Sequence, residues 1–135
     1  MYDTLLALHL LSAAVAFITL VLMSAWALGA PIARGQWVIA DQAWNISGAG
    51  LLIFGVWLAL DVDGYELWDG WILGALVLLI VASFFGARAR QPVLAALEAG
   101  GPGAEPTAAQ ATVWHWLRTL SVIAILVLMV WKPGA

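Results

Sequence analysis

Polar side chains fall in clusters along this chain, and the gaps between the clusters are long and apolar. The last gap shows the pattern best. Between Trp116 and Trp131 runs LRTLSVIAILVLMV, with Arg118 near its start and Lys132 just past its end. Pro133 closes it, because proline cannot continue the backbone ladder. A helix needs about twenty apolar residues to cross a bilayer, and tryptophans belong at its two boundaries. Helix 108–131 meets both conditions.

Three earlier stretches repeat the theme: 4–28, 42–60 and 70–87. Gly29-Ala30-Pro31 ends the first, the turn Asp61-Val62-Asp63-Gly64 ends the second, and Arg88 and Arg90 follow the third. The pattern predicts an all-α transmembrane four-helix bundle, a single domain over residues 1–135. Asp3 and Asp41 stand where they would cap the first two helices. Residues 32–40, with Arg34, Gln36 and Trp37, read as an interfacial loop, and Pro92 as the start of a short interfacial segment, Val93–Ala99. Gly100-Gly101-Pro102-Gly103 reads as a flexible link, and Thr107-Ala108-Ala109-Gln110 as a capping box. The first apolar run ends like a signal peptide, but Asp3 occupies the place of a positive n-region and the run is too long, so it reads as a retained span.

Composition supports lipid as the solvent. Hydrophobic residues make up 64% and charged ones 10%, with mean hydropathy +1.00, whereas soluble domains carry about 25% charge. The net charge of −3 offers no basic stripe to meet phosphates, which excludes nucleic acid as a partner. With no cysteine, disulfides, iron–sulfur clusters and thiol catalysis are excluded as well.

Charge also predicts orientation. Arg34, Arg88, Arg90 and Arg118 fall at one end of the bundle, and Lys132 falls with the termini. The positive-inside rule then puts both termini on the outer side of a bacterial inner membrane. Nine tryptophans sort into two belts: Trp26, Trp37, Trp44, Trp114 and Trp116 at the inner boundary, and Trp57, Trp68, Trp71 and Trp131 at the outer. They are expected to be headgroup anchors.

A polar side chain inside lipid is costly, so each is a candidate site. His9 lies in the first span near its outer end, as a hydrogen-bonded residue or a haem ligand. Met129 on the fourth span falls at similar depth, and a His/Met axial pair is one way to hold haem. Lys132 and Tyr2 lie above, placed to meet propionates. His115 lies too deep to share an iron with His9, since helix rise separates them by roughly 20 Å or more; it reads as interfacial. Asp41 and Arg118 suggest an ion pair between spans two and four, with Asn45, Ser47 and Thr119 as interhelical hydrogen-bonding groups. Gly70-x-x-x-Gly74 and Gly48, Gly50 and Gly55 mark close packing within the bundle. The acidic turn 61–66 lacks the spacing of a calcium loop. No nucleophile–base set, Walker loop or HExxH is present.

Leu8-His9-Leu10-Leu11, Trp71, Pro92, Arg118 and Met129-Val130-Trp131-Lys132-Pro133 together resemble a group of small bacterial four-span membrane proteins of unknown function. That group is distantly similar to HemJ-type protoporphyrinogen IX oxidases and CopD-type membrane proteins. The resemblance implies haem b at His9 and, for an oxidase, anion contacts from Arg118 and Lys132. Gly74 and Ala75 stand where a lysine belongs after Trp71, no Asn-Glu follows Arg118, and no histidine ends span three. The leading expectation is therefore a non-enzymatic accessory subunit or haem-binding module. It would work as a homo-oligomer or within a larger membrane complex. A HemJ-like porphyrin oxidase and a pigment-binding subunit are the alternatives.

Overall fold

The computed structural model describes residues 1–99 and 106–132, with backbone alone for residues 106–109. Four helices run α1 Tyr2–Ala27, α2 Arg34–Asp61, α3 Gly70–Ala99 and α4 Pro106–Trp131. No strand occurs among the described residues. Each helix carries a stretch long and apolar enough to cross a membrane. The chain is an all-α bundle, and the expected spans all lie within its helices except for Leu28 at the end of the first.

Contacts between helix ends fix an up-and-down arrangement. Lys132, past α4, meets Tyr65 in the α2–α3 turn. Asp41 in α2 meets Arg90 in α3, and Ser24 in α1 meets His115 in α4. One end of the bundle, the terminal end, thus holds the start of α1, the α2–α3 turn and the end of α4. The other, the far end, holds the α1–α2 loop and the start of α4. Packing is closest within two hairpins, α1 with α2 and α3 with α4.

The α1 stop follows from Gly29. Its φ of +105° is a conformation that suits glycine, and it lets Ala30 N–H reach the Ala25 carbonyl and Gly29 N–H reach that of Trp26, each at 2.9 Å. Asp3 lies in the first turn of α1 but makes no cap hydrogen bond there, the N-cap being Met1. At the start of α2, Gln36 Oε1 accepts the Ala33 N–H at 3.0 Å. In the α2–α3 turn Gly64 takes φ +92°, and Asp69 Oδ2 accepts the Glu66 N–H at 3.1 Å.

Two expected loops are helical. Residues 34–40 belong to α2, so Asp41 sits two turns inside the helix and is not its N-cap. Likewise α3 continues through Pro92 to Ala99, with no separate interfacial segment. Proline removes a single donor there, while Ala89, Val93 and Ala96 are buried in the core on the same helix. Burial outweighs the lost bond. The expected Gly100–Gly103 link, the Thr107 capping box and Pro133 lie outside the described residues or side chains.

The core has two parts. The far-end cluster draws on all four helices, with Met23, Trp26, Trp37, Trp44, Ala82, Ala89, Val93 and Ala111 among its members. The terminal cluster is smaller: Ala59, Trp71 and Ile72, with Tyr65, Leu67, Leu76 and Met129 packed against them. The two-belt expectation thus needs correction at four tryptophans. Trp26, Trp37, Trp44 and Trp71 point inward as core, while Trp57, Trp68 and Trp131 are exposed and suit anchoring. Depth follows from sequence position, but rotation about the helix axis decides which rings face lipid.

Candidate functional site

The most polar part of the interior is built on one turn of α4. His115 and Arg118 are three residues apart and so share a face. Both are buried, Arg118 to 1% exposure. The Arg118 Nη2 donates to His115 Nδ1 at 2.8 Å and to Met23 Sδ at 3.0 Å. Arginine can only donate, so His115 Nδ1 is an acceptor, and the neutral ring carries its proton on Nε2. That proton is given to Ser24 Oγ at 2.8 Å, with Thr119 Oγ1 further off at 3.4 Å. The interfacial reading of His115 is therefore corrected: it is an interior link between α1 and α4.

The guanidinium lies 5.2 Å above the centre of the Trp44 ring. Its other nitrogens are less well served. Nε and Nη1 are buried with no hydrogen-bond partner. The expected Asp41–Arg118 ion pair is not formed, because Asp41 is taken by Arg90. Arg90 Nε donates to Asp41 Oδ2 at 2.8 Å, and Nη2 contacts the same oxygen. Among the described residues, ion pairs occur at Arg90–Asp41 and Arg34–Glu98 and none includes Arg118. Every polar neighbour hydrogen-bonded to Arg118 is neutral.

Gly86 on α3 is what lets the guanidinium fit. A Cβ there would lie 3.0 Å from Arg118 Nη1 and 3.3 Å from Trp44 Nε1. The Arg118 and Trp44 side chains thus close over Gly86 in a space slightly too small for a methyl group. Ser47, expected to bond across helices, turns back to the Trp44 carbonyl at 3.0 Å, and Thr119 similarly bonds the His115 carbonyl at 3.0 Å.

The other expected site residues lie at the terminal end. His9 faces α2, where a Cβ on Gly55 would be 3.2 Å from its Cε1, and its buried Nδ1 makes no well-formed hydrogen bond. Met129 packs instead against the Trp71 cluster. Lys132 Nζ donates to Tyr65 OH at 2.9 Å and sits 5.1 Å from the ring centres of Tyr65 and Trp71. The four expected cofactor contacts therefore do not gather at one place: Arg118 is about 21 Å along α4 from Lys132 by helix rise. Ser24, which touches His115, is similarly about 22 Å along α1 from His9, so the two histidines keep to opposite ends.

Sequence reasoning placed Arg118 but missed its neighbours Met23 and Gly86, and Ser24 beside His115. The His115–Arg118 spacing was the available signal, since a basic residue one turn from a histidine shares its face. Gly50 and Gly74 do mark close approaches, to Ser12 and to Leu128, whereas Gly48 and Gly70 face open space. No group of three or more His, Cys, Asp or Glu suited to a metal occurs among the described residues. No protein family model, curated protein or solved structure matches this chain.

Proposed function

We propose that this chain is a non-enzymatic membrane module of a bacterial inner membrane, termini outward, that holds an anionic ligand at Arg118 within a larger assembly. A single observation supports the ligand: a fully buried guanidinium whose Nε and Nη1 lack partners and whose hydrogen-bonded neighbours are neutral. A cation inside lipid is costly unless paired. Asp41 attracts Arg118 electrostatically but accepts its hydrogen bonds from Arg90, so the bare donors of Arg118 are left to a ligand. The excess of arginine at the far end supports the orientation. Reporter tags reading the two termini on the cytoplasmic side would reverse it.

The test is ligand-linked stability in a non-ionic detergent. Formate should raise the unfolding temperature with saturation, as a ligand that binds only the folded state does. In Arg118→Gln the rise should vanish. An equal rise in both proteins, or none in either, overturns the reading.

His9 supports a second reading, a haem-binding module, as an imidazole set against α2 at Leu51 and Gly55 whose Nδ1 makes no well-formed hydrogen bond. Met129 gains no support as the second ligand from its packing against Trp71. An absorbance spectrum of the purified protein decides it: a Soret band lost in His9→Ala sustains haem, and a bandless spectrum removes it.

A further inference from the structure

A cleft of about 200 Å³ lies between α1 and α2 at the far end, lined by Leu22, Met23, Ile32, Gln36, Trp37 and Ala40. Its walls are nearly all apolar, and Leu22 at its rim is exposed on the face turned to lipid. Met23 forms part of the inner wall. The same side chain is fully buried and places its sulfur 3.0 Å from Arg118 Nη2. One flexible thioether thus stands between a lipid-facing apolar cleft and a buried cation.

That contact is a weak one to give a buried guanidinium. A thioether sulfur is a poor acceptor, and methionine has three rotatable bonds with which to move aside. Nε and Nη2 form one edge of the guanidinium, the edge at which a carboxylate docks with two parallel hydrogen bonds. Nε on that edge has no partner, and Nη2 has the sulfur. Moving Met23 aside frees a donor of Nη2 beside an Nε that already lacks a partner, behind the cleft wall that Met23 forms. His115 keeps its own bond to Nη2 and holds the guanidinium in place.

We propose that the cleft and Arg118 together form one site for a single-chain carboxylate amphiphile of the fatty-acid class. The chain occupies the α1–α2 cleft, and the carboxylate displaces the Met23 sulfur from Arg118. The cleft is smaller than pockets that enclose drug-sized ligands, which begin near 300 Å³, and that limits it to one chain. Charge complementarity selects the head and the apolar walls select the tail. Entry is sideways from the bilayer, past Leu22. This inference rests on the reading of Arg118 as an anion-holding centre and adds the ligand's chemical class and route.

The test compares decanoate, formate and decanol binding to the detergent-purified full chain by isothermal titration. Decanoate should bind at least tenfold more tightly than formate, and decanol should show no saturable binding. Leu22→Trp narrows the cleft from its lipid-facing rim without touching the core, and should weaken decanoate at least tenfold while leaving formate unchanged. Arg118→Gln should abolish the binding of both carboxylates. Formate and decanoate binding equally would overturn the chain site while leaving an anion centre at Arg118. Saturable decanol binding of matching strength would overturn head-group selection. Decanoate binding that is unchanged in Leu22→Trp would overturn the route. If neither carboxylate binds, the anion centre fails together with the site built on it.

Discussion

The two ends of this bundle handle their cations in different ways. At the terminal end, Lys132 lies at the edge of the structure, its ammonium bonded to Tyr65 and resting by the rings of Tyr65 and Trp71. At the far end, Arg118 is enclosed by all four helices and has neutral hydrogen-bonding partners that leave two of its nitrogens bare. A lysine on a flexible stem can carry its charge to the boundary, so it needs only aromatic faces and one hydroxyl. An arginine in the interior has no such escape. Its unmet donors are the difference that points to a ligand.

The difference extends to packing. The far-end cluster stacks Trp26, Trp37 and Trp44 with Met23 from α1, α2 and their partners on α3 and α4. The terminal cluster has no member from α1. The far end therefore has the larger interior, and the terminal end less interior to lose.

The sharpest way to break this comparison is to remove a tryptophan from each end. Trp26→Ala, deep in the far-end core, should cost about 3–5 kcal/mol, whereas Trp68→Ala on the exposed α2–α3 turn should stay within about 0.5 kcal/mol. Unfolding in mixed micelles with increasing dodecyl sulfate measures both; equal losses would erase the distinction between the halves.

A second pair concerns charge. Arg90→Ala leaves the buried Asp41 carboxylate without its partner. The side chain of Arg90 is about half exposed, so water compensates in part, and the expected loss is about 1–3 kcal/mol rather than the larger figure for a sealed pair. Asp41→Asn in the Arg90→Ala background should recover part of it, because no charge is then stranded. Lys132→Ala at the other end should cost about 0.5–1 kcal/mol, the range of an exposed cation–aromatic contact. The same unfolding series reads all three, and a costlier lysine would reverse the ranking.

The last pair is at glycines. Gly86→Ala forces a Cβ to 3.0 Å from Arg118 Nη1, so the guanidinium must shift by a few tenths of an ångström. About 1 kcal/mol of overpacking cost is expected, together with weaker formate binding. Gly70→Ala meets nothing within 4 Å and should be neutral in both measurements. Unaltered formate binding in Gly86→Ala would show that the space over Gly86 plays no part in positioning the guanidinium.

Much of the architecture was legible in the residues themselves. Four apolar stretches of membrane-crossing length give four helices, because unsatisfied backbone is intolerable in hydrocarbon and a helix satisfies it locally. Helix ends were harder. Gly29 announced the end of α1 correctly, since few other residues accept its backbone angle. Pro92 misled, because burial of Ala89, Val93 and Ala96 outweighs one missing hydrogen bond.

The sequence by itself determined how far along its helix each residue sits, since rise along a helix is fixed per residue. It thereby separated His9 from His115 and placed Arg118 near the far end. Only the tertiary structure decided which way each side chain turns and whom it meets. Asp41 was free, on depth alone, to pair with Arg118 or Arg90, and the rotation of α3 gave it to Arg90. That choice leaves Arg118 with a sulfur, a neutral imidazole and a tryptophan face. Contacts between helices depend on the relative rotation and approach of whole elements, quantities that no local pattern carries, and the unmet donors of Arg118 arise from them.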